Sequence, residues 1–238
     1  ADTARHLVEE GWIEKMNNNI SIKLSADNAF EIFKVHTPGN DIVLYPNIAT
    51  KLRLSGNYKF LALSVGTVPG FLPGNKDDDI KGSTRAFDLS ASLLFRRWFQ
   101  HFQYARVQGY YLRNTADYQP WEPGDPFLQF PDLLNKGIRG STGFQFNPKL
   151  SLKSLVTQTE RQLKSAGSFV TVLQYHYYRI DDRSTPQVGG STQMSHNFEW
   201  SIGAGYYHNF VWKEKFYAGL GFVPSGGFIH TWLTTRLP

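Results

Sequence analysis

The sequence predicts an all-β fold: a transmembrane antiparallel outer-membrane β-barrel of about 12 strands, preceded by a short N-terminal helical segment. Three observations predict it. Apolar side chains alternate with small or polar ones along most of the chain. Aromatic residues are abundant, at 15%, and gather where the alternating stretches end. No apolar run approaches the ~20 residues that a transmembrane helix needs, so a membrane reading requires strands closed into a barrel, the other structure that satisfies every backbone group in lipid.

The alternation is clearest in three stretches. Phe87, Leu89, Ala91, Leu93 and Phe95 share one face, with Asp88, Ser90 and Ser92 on the other. Phe198, Trp200, Ile202, Ala204 and Tyr206 alternate with Glu199, Ser201, Gly203 and Gly205. Ile20, Ile22 and Leu24 alternate with Ser21, Lys23 and Ser25. A period of two puts successive side chains on opposite faces of a strand. Its repetition, with Gly and Ser on the second face, is the outer-membrane barrel signature. A soluble β-sandwich also alternates, but its outward faces are rich in charge and its strands are shorter.

The pattern places strands at 20–34, 41–55, 59–67, 83–97, 101–113, 137–147, 150–162, 167–180, 196–210, 215–224 and 228–236. Turn chemistry separates them: Thr37-Pro38-Gly39-Asn40, Gly56-Asn57, Asn147-Pro148-Lys149 and Pro224-Ser225-Gly226-Gly227. Three connections are long, 68–82, 114–136 and 181–195. In a barrel, long connections lie at one end and short turns at the other; with these strands one long connection falls at the wrong end. Trp98 beside Arg96 and Arg97, Tyr110-Tyr111, Tyr177-Tyr178 and Trp212 are the expected interfacial aromatics.

Composition excludes several classes. The chain has no Cys, so neither a disulfide framework nor a thiolate metal site serves it. The net charge of +5 is spread along the chain without a nucleic-acid reader motif, and nucleic acid is not an expected partner. Residues 1–18 carry Leu7, Val8, Trp12, Ile13 and Met16 at roughly helical spacing among charges. They are expected to form an amphipathic periplasmic segment, with the barrel occupying 19–238. The chain ends at Leu237-Pro238 rather than in an aromatic strand, and proline cannot donate to a ladder. Closing strands beyond Pro238 are therefore expected.

The run Gln158–Phe169 (QTERQLKSAGSF) follows Phe146-Asn147-Pro148-Lys149 and lies downstream of Tyr45-Pro46-Asn47 and of the Phe87–Phe95 strand. Together these resemble a domain-of-unknown-function family of Bacteroidota outer-membrane proteins, over about 19–207. The resemblance implies an outer-membrane barrel with no assigned activity, whose members continue past this chain's end into an aromatic strand.

If the apolar set faces lipid, the opposite set faces a lumen. The lumen charges expected are Lys23, Asp27, Lys51, Arg53, Asp88, Arg106, Arg139, Lys153 and Glu199, a set that leans basic. They are read as a packed, salt-bridged interior or as the lining of a pore preferring anions. Glu160, Arg161, Lys164, Ser165 and Ser168 are read as a tight charged turn or as a docking or lipid-headgroup site. His176, with Gln174 and Tyr178, is the residue on which a lipid hydrolase would turn. No GxSxG or HExxH motif accompanies it, so no catalytic residue, metal or cofactor is expected. Asn75, Asp77, Asp78 and Asp79 lack ordered calcium-loop spacing and read as a solvated loop tip.

The expected role is that of a structural or interaction subunit of a larger cell-envelope complex in the bacterial outer membrane. Lipids or lipopolysaccharide and envelope proteins are the expected partners. A narrow channel for small, anionic solutes is the alternative, and a membrane-embedded lipid hydrolase the third reading.

Overall fold

The alternating stretches become one large antiparallel sheet. A computed structural model of the chain describes residues 11–15, 20–28, 30–36, 39, 41–185, 192–213 and 216–236. A short β1 (Ile13–Lys15) is followed by β2 (Ser21–Asp27), the small hairpin β3 (Phe33–His36) and β4 (Asp41–Tyr45), then β5 (Lys51–Tyr58) and β6 (Leu61–Thr67). One helical turn, α1 (Asp78–Lys81), precedes the long strands β7 (Arg85–Leu94), β8 (Trp98–Leu112) and β9 (Gln129–Gln145). Next come α2 (Leu152–Val156) and β10 (Glu160–Gln162). The chain then runs through β11 (Ala166–Asp182), β12 (Thr192–Trp212), β13 (Phe216–Phe222) and β14 (Ser225–Arg236).

Twelve strands share the sheet, and its main path runs β2-β5-β6-β7-β8-β9-β11-β12-β13. β14 continues β13 along the same edge of the 21-residue β12, after a break at Val223-Pro224. The sheet is open. β2 and the β13–β14 run are its edges and do not pair with each other, and no closed barrel is present among the described residues. Both edges carry exposed apolar side chains, including Ile22 and Leu24 on one and Phe228 and Leu233 on the other.

Several expected elements differ. The expected strand 20–34 gives way after Asp27, 41–55 divides into β4 and β5, and β9 begins at Gln129, inside the expected connection 114–136. The stretch 150–162 is not a sheet strand: it folds into α2 and the short β10, which pairs with β1. Most of the expected N-terminal helix lies outside the described residues, and its Ile13–Lys15 portion is a strand. Removing 150–162 from the sheet resolves the parity of the connections. The long ones (28–50, 68–84, 113–128 and 183–191) all leave the same end of the sheet. The tight turns 59–60 and 95–97 lie at the other end, together with the folded segment 146–165 and the ends of β12 and β13 that follow one another in the chain.

The long-connection end has its own small core. Leu44, Tyr110, Leu112 and Leu133 are buried together, with Phe33 and Ile42 against them, and β4 pairs with β8 through Leu44 and Leu112. Asn75 staples the neighbouring loop. Its side chain donates to the Thr50 and Pro69 carbonyls and accepts from the Ala49 and Thr50 amides. The acidic tip is therefore structured: Asp78 accepts from Asn47. Partial burial disfavours the charged Asp77, but the Lys81 ion pair outweighs it and holds that carboxyl below its usual range. The stabilisation this gives is present above the unfolded carboxylate's pKa and fades as pH falls through the lowered value.

Gly109 ends the strict alternation. The register of β8 on β9 shifts between Gln108 and Tyr110, and Gly109 has φ +92° with its Cα facing the Ser83 carbonyl, where an added Cβ would lie 2.1 Å from the oxygen. The bulge turns the Tyr110–Leu112 end of β8 into the small core. Gly109→Ala is expected to destabilise the protein by about 1–3 kcal/mol. Denaturant melts in detergent would measure this, and a midpoint equal to wild type would show that the bulge tolerates a side chain.

Candidate functional site

The register sorts every long-strand side chain onto one of two faces, and the faces differ chemically. Outward rows run across the sheet. One is Leu54, Val65, Leu89, Tyr104, Ile138, Tyr177 and Phe198; the next is Gly56, Leu63, Ala91, Phe102, Gly140, Tyr175 and Trp200. Five successive rows, from the level of Tyr177 down to that of Phe169, contain no Asp, Glu, Lys or Arg. Gln100, the long polar side chain among them, donates to the Ser141 carbonyl and the Tyr175 hydroxyl.

The inward face is polar. Its centre is Asp88, 1% exposed. Arg53 donates to it at 2.7 Å, Lys51 pairs with it at 2.9 Å, and Arg53 also reaches Asp27 at 3.4 Å and Ser64 at 3.2 Å. The sequence makes room for this cluster. Gly66 lies between Arg53 and Asp88 in the same row, and a Cβ there would fall 2.5 Å from the Asp88 carboxylate. Further along, Arg139 pairs with Glu31, which also accepts from Asn135 at 3.1 Å. His176 Nδ1 lies 3.6 Å from Glu199, its neighbour across β11 and β12.

Arg139 and His176 stand between two hollows on this face. One, of about 750 Å³, is lined by His101, Gln174, Glu199 and Ile229 as well. The smaller, of about 270 Å³, adds Glu31, Lys51, Arg53 and Tyr178.

Seven of the nine expected lumen charges face inward: Lys23, Asp27, Lys51, Arg53, Asp88, Arg139 and Glu199. Two do not. Arg106 shares the parity of Phe102 and Tyr104 and points outward, one row beyond the uncharged band, where a charge is not forced into apolar surroundings. Lys153 is on α2 and pairs with Glu160 at 3.3 Å. Glu31, which fell inside the expected strand 20–34 but was not among the expected lumen charges, lies between β2 and β3 and joins the set. The expected basic lean is thereby corrected: Lys23, Lys51, Arg53 and Arg139 face Asp27, Glu31, Asp88 and Glu199.

The segment 147–165 packs at the short-turn end of the sheet. Buried Gln162 holds it, donating to the Trp12, Lys149 and Lys164 carbonyls and accepting from the Ser151 amide. Buried Asn209 of β12 donates to the Ser151 carbonyl at 3.1 Å. Asn57 of β5 donates to the Thr157 carbonyl, Gln145 of β9 to that of Leu150, and Tyr217 of β13 to that of Ser154. Strands from far apart in the sheet thus grip one segment. Trp12 lies under the ammonium groups of Lys149 and Lys164.

Most of the expected docking residues make contacts within this end of the fold. Glu160 accepts from Ser151 at 2.7 Å. Ser168, fully buried, accepts from the Asn147 amide, and Ser165 exchanges hydrogen bonds with Val211. Arg161 reaches Glu14 on the outer side of β1. Sequence reasoning missed Asn209 and Gln162, although a lone Asn at an inward position after Gly203, Gly205 and Tyr207 was a visible signal.

A hydrolase needs a nucleophile, a base and a group that orients the base. Ser92 and His101, adjacent across β7 and β8, are 2.8 Å apart. No carboxylate pairs with His101 among the described residues. His176 has Glu199 but no serine in hydrogen-bond contact among them. The two half-sites are not assembled into one.

Asp88→Ala is expected to cost about 3–5 kcal/mol, because it leaves Arg53 and Lys51 with only the more exposed Asp27, 3.4 Å from Arg53, as a counter-charge. Urea melts would measure it, with Asp27→Ala, at the exposed margin of the same cluster, costing less. Equal losses in the two variants would show that Asp88 is not the centre of the network.

The chain belongs to a family described as a domain of unknown function, DUF4421, which matches residues 3–236. No curated protein matches it. No solved structure does either.

Proposed function

We propose that this DUF4421 chain forms the wall of a β-barrel in the bacterial outer membrane and acts there as a structural or interaction subunit of a cell-envelope complex, not as an open pore. The observation that carries the reading is the pairing of an uncharged outward band with a charge-balanced, plugged interior. The band covers nine residues of β11, from Phe169 to Tyr177. That is roughly 27 Å of strand at ~3.4 Å per residue, or about 20 Å of thickness at the usual strand tilt, near the roughly 25 Å of barrel proteins. Phe144, Phe146, Phe169 and Tyr206 border it at the short-turn end, in the manner of an interfacial girdle. By the same rule the long connections face outside the cell and the plugged mouth faces the periplasm.

Insertion requires the β2 and β14 edges to be hydrogen-bonded, because lipid offers backbone groups no partner. The inward charges neutralise one another, which supports a packed lumen over an anion path. The outer side of the plug, with β1, Arg161 and Glu14, offers the surface for a periplasmic partner. A second reading, a narrow solute channel, draws support from the hollow of about 750 Å³ beside Arg139 and His176; it requires the 147–165 segment to move.

The absence of cysteine makes insertion directly testable. In liposomes, Leu173→Cys and Ile202→Cys are expected to resist a charged maleimide, although these outward side chains are 43% and 61% exposed in the isolated chain; Gln174→Cys and Ser201→Cys, one residue away, should react. Uniform labelling of all four would defeat the membrane reading. Ile202→Arg, in the middle row of the band, should destabilise by about 2–4 kcal/mol.

In planar bilayers the wild-type protein is expected to be silent, and Gln162→Ala with Asn209→Ala to open conducting steps. Steady wild-type conductance would favour the channel. Mild-detergent pull-down is expected to recover an envelope protein with the barrel; repeated recovery of the barrel alone would count against the subunit role.

A further inference from the structure

Arg106, Lys136 and Arg179 stand side by side. The register of β8, β9 and β11 sets them directly opposite one another, with His196 of β12 next in the row. All four are on the outward face, one row beyond Tyr104, Ile138, Tyr177 and Phe198. With neighbouring strands about 4.8 Å apart, the row is roughly 15 Å long. Like charges directly opposite in a sheet are destabilising, and nothing in the fold requires them here.

Local carboxylates do not neutralise the row. Asp181 is shared by Arg179, Arg183 and Arg236, at 3.3, 3.1 and 3.0 Å. Arg106 donates to the neutral Gln108 at 3.1 Å, and Lys136 has no carboxylate partner among the described residues. Arg85 also faces outward one row further on. Six cations (Arg85, Arg106, Lys136, Arg179, Arg183 and Arg236) therefore meet three carboxylates, Asp132, Asp181 and Asp182. His196 bonds the Tyr177 hydroxyl at 2.6 Å.

We propose that this row binds the phosphate groups of a phosphorylated glycolipid headgroup of the lipid A type, in the leaflet on the long-connection side. The chemistry and the height of the row agree. An uncharged band meets acyl chains, and the first polar level above it is where a headgroup phosphate lies. Arg106 and Arg179 present forked donors suited to phosphate oxygens, and Lys136 places a compact charge between them. A phosphate drawn between the three relieves their mutual repulsion. The inference rests on the outer-membrane reading and adds to it a lipid class and a site.

The test titrates the full chain, in a zwitterionic detergent, with bisphosphorylated lipid A and with its dephosphorylated form, and counts retained lipid by native mass spectrometry. The phosphorylated form is expected to bind at least about tenfold more tightly. Arg106→Gln with Lys136→Gln should lose about that factor. Lys136→Arg should retain it, as should Arg96→Gln with Arg97→Gln at the opposite end. Equal binding of the two lipids, or undiminished binding by the double variant, overturns the proposal. Full displacement by inorganic phosphate alone reassigns the row to a free anion and overturns the headgroup. Cysteine labelling separates the two levels: Leu173→Cys protected, with no phosphate selectivity, rejects this site alone, whereas Leu173→Cys reached from water rejects the membrane reading beneath it.

Discussion

Every long strand from β5 to β12 must keep the same side chains on the same side as its neighbours. A strand's side-chain period is two, so a slip of one residue would carry a whole strand's set to the opposite face. Such a slip in β7 would move Asp88 away from Arg53 and Lys51 and set it among Val65 and Tyr104. The register is thus specified from both sides at once. Apolar rows cannot accept the carboxylate, and the two cations lose their buried counter-charge without it. Gly66 is the steric counterpart of this electrostatic constraint, since a side chain there would displace the carboxylate.

The same constraint shapes the interior. Inward charges on neighbouring strands come to lie close together, and they have sorted themselves into opposite-sign contacts: Asp88 with Arg53 and Lys51, and Arg139 with Glu31. Burying paired charges is weak evidence for stability but good evidence for a specified arrangement, because removing one partner leaves the other stranded. Balance of this kind leaves little net field to select one ion over another. The 147–165 segment follows a similar logic with neutral groups. Gln162 and Asn209 satisfy the carbonyls of a segment that has left the sheet, and so fold the β9-to-β11 connection against the short-turn end.

The two ends of the sheet consequently differ in kind. At one, tight turns and the 147–165 segment form a closed, hydrogen-bonded surface. At the other, long connections rise above the small Leu44–Tyr110–Leu112–Leu133 core, and the outward face turns basic within one row. The Gly109 bulge marks that border on β8, where alternation stops serving two faces and begins serving a loop cluster.

Alternation by itself determined that the chain is all-β and antiparallel, and it placed nearly every long strand, because the period of two in Phe87–Phe95 or Phe198–Tyr206 is a local property of the chain. It also separated most inward charges from the outward apolar set. What it could not decide were features set by register and by distant partners. The stretch 150–162 has strand-like composition, yet it folds into α2 and β10 because Asn209 of β12 and Asn57 of β5 hold its Ser151 and Thr157 carbonyls, while Gln162 accepts from its Ser151 amide. Arg106 shares its parity with Phe102 and Tyr104, but whether that level lies inside the uncharged band or just beyond it depends on how β8 is staggered against β9 and β11. Glu31 meets Arg139 across more than a hundred residues. Local sequence determines which way a side chain points; the stagger of the strands decides what it finds there.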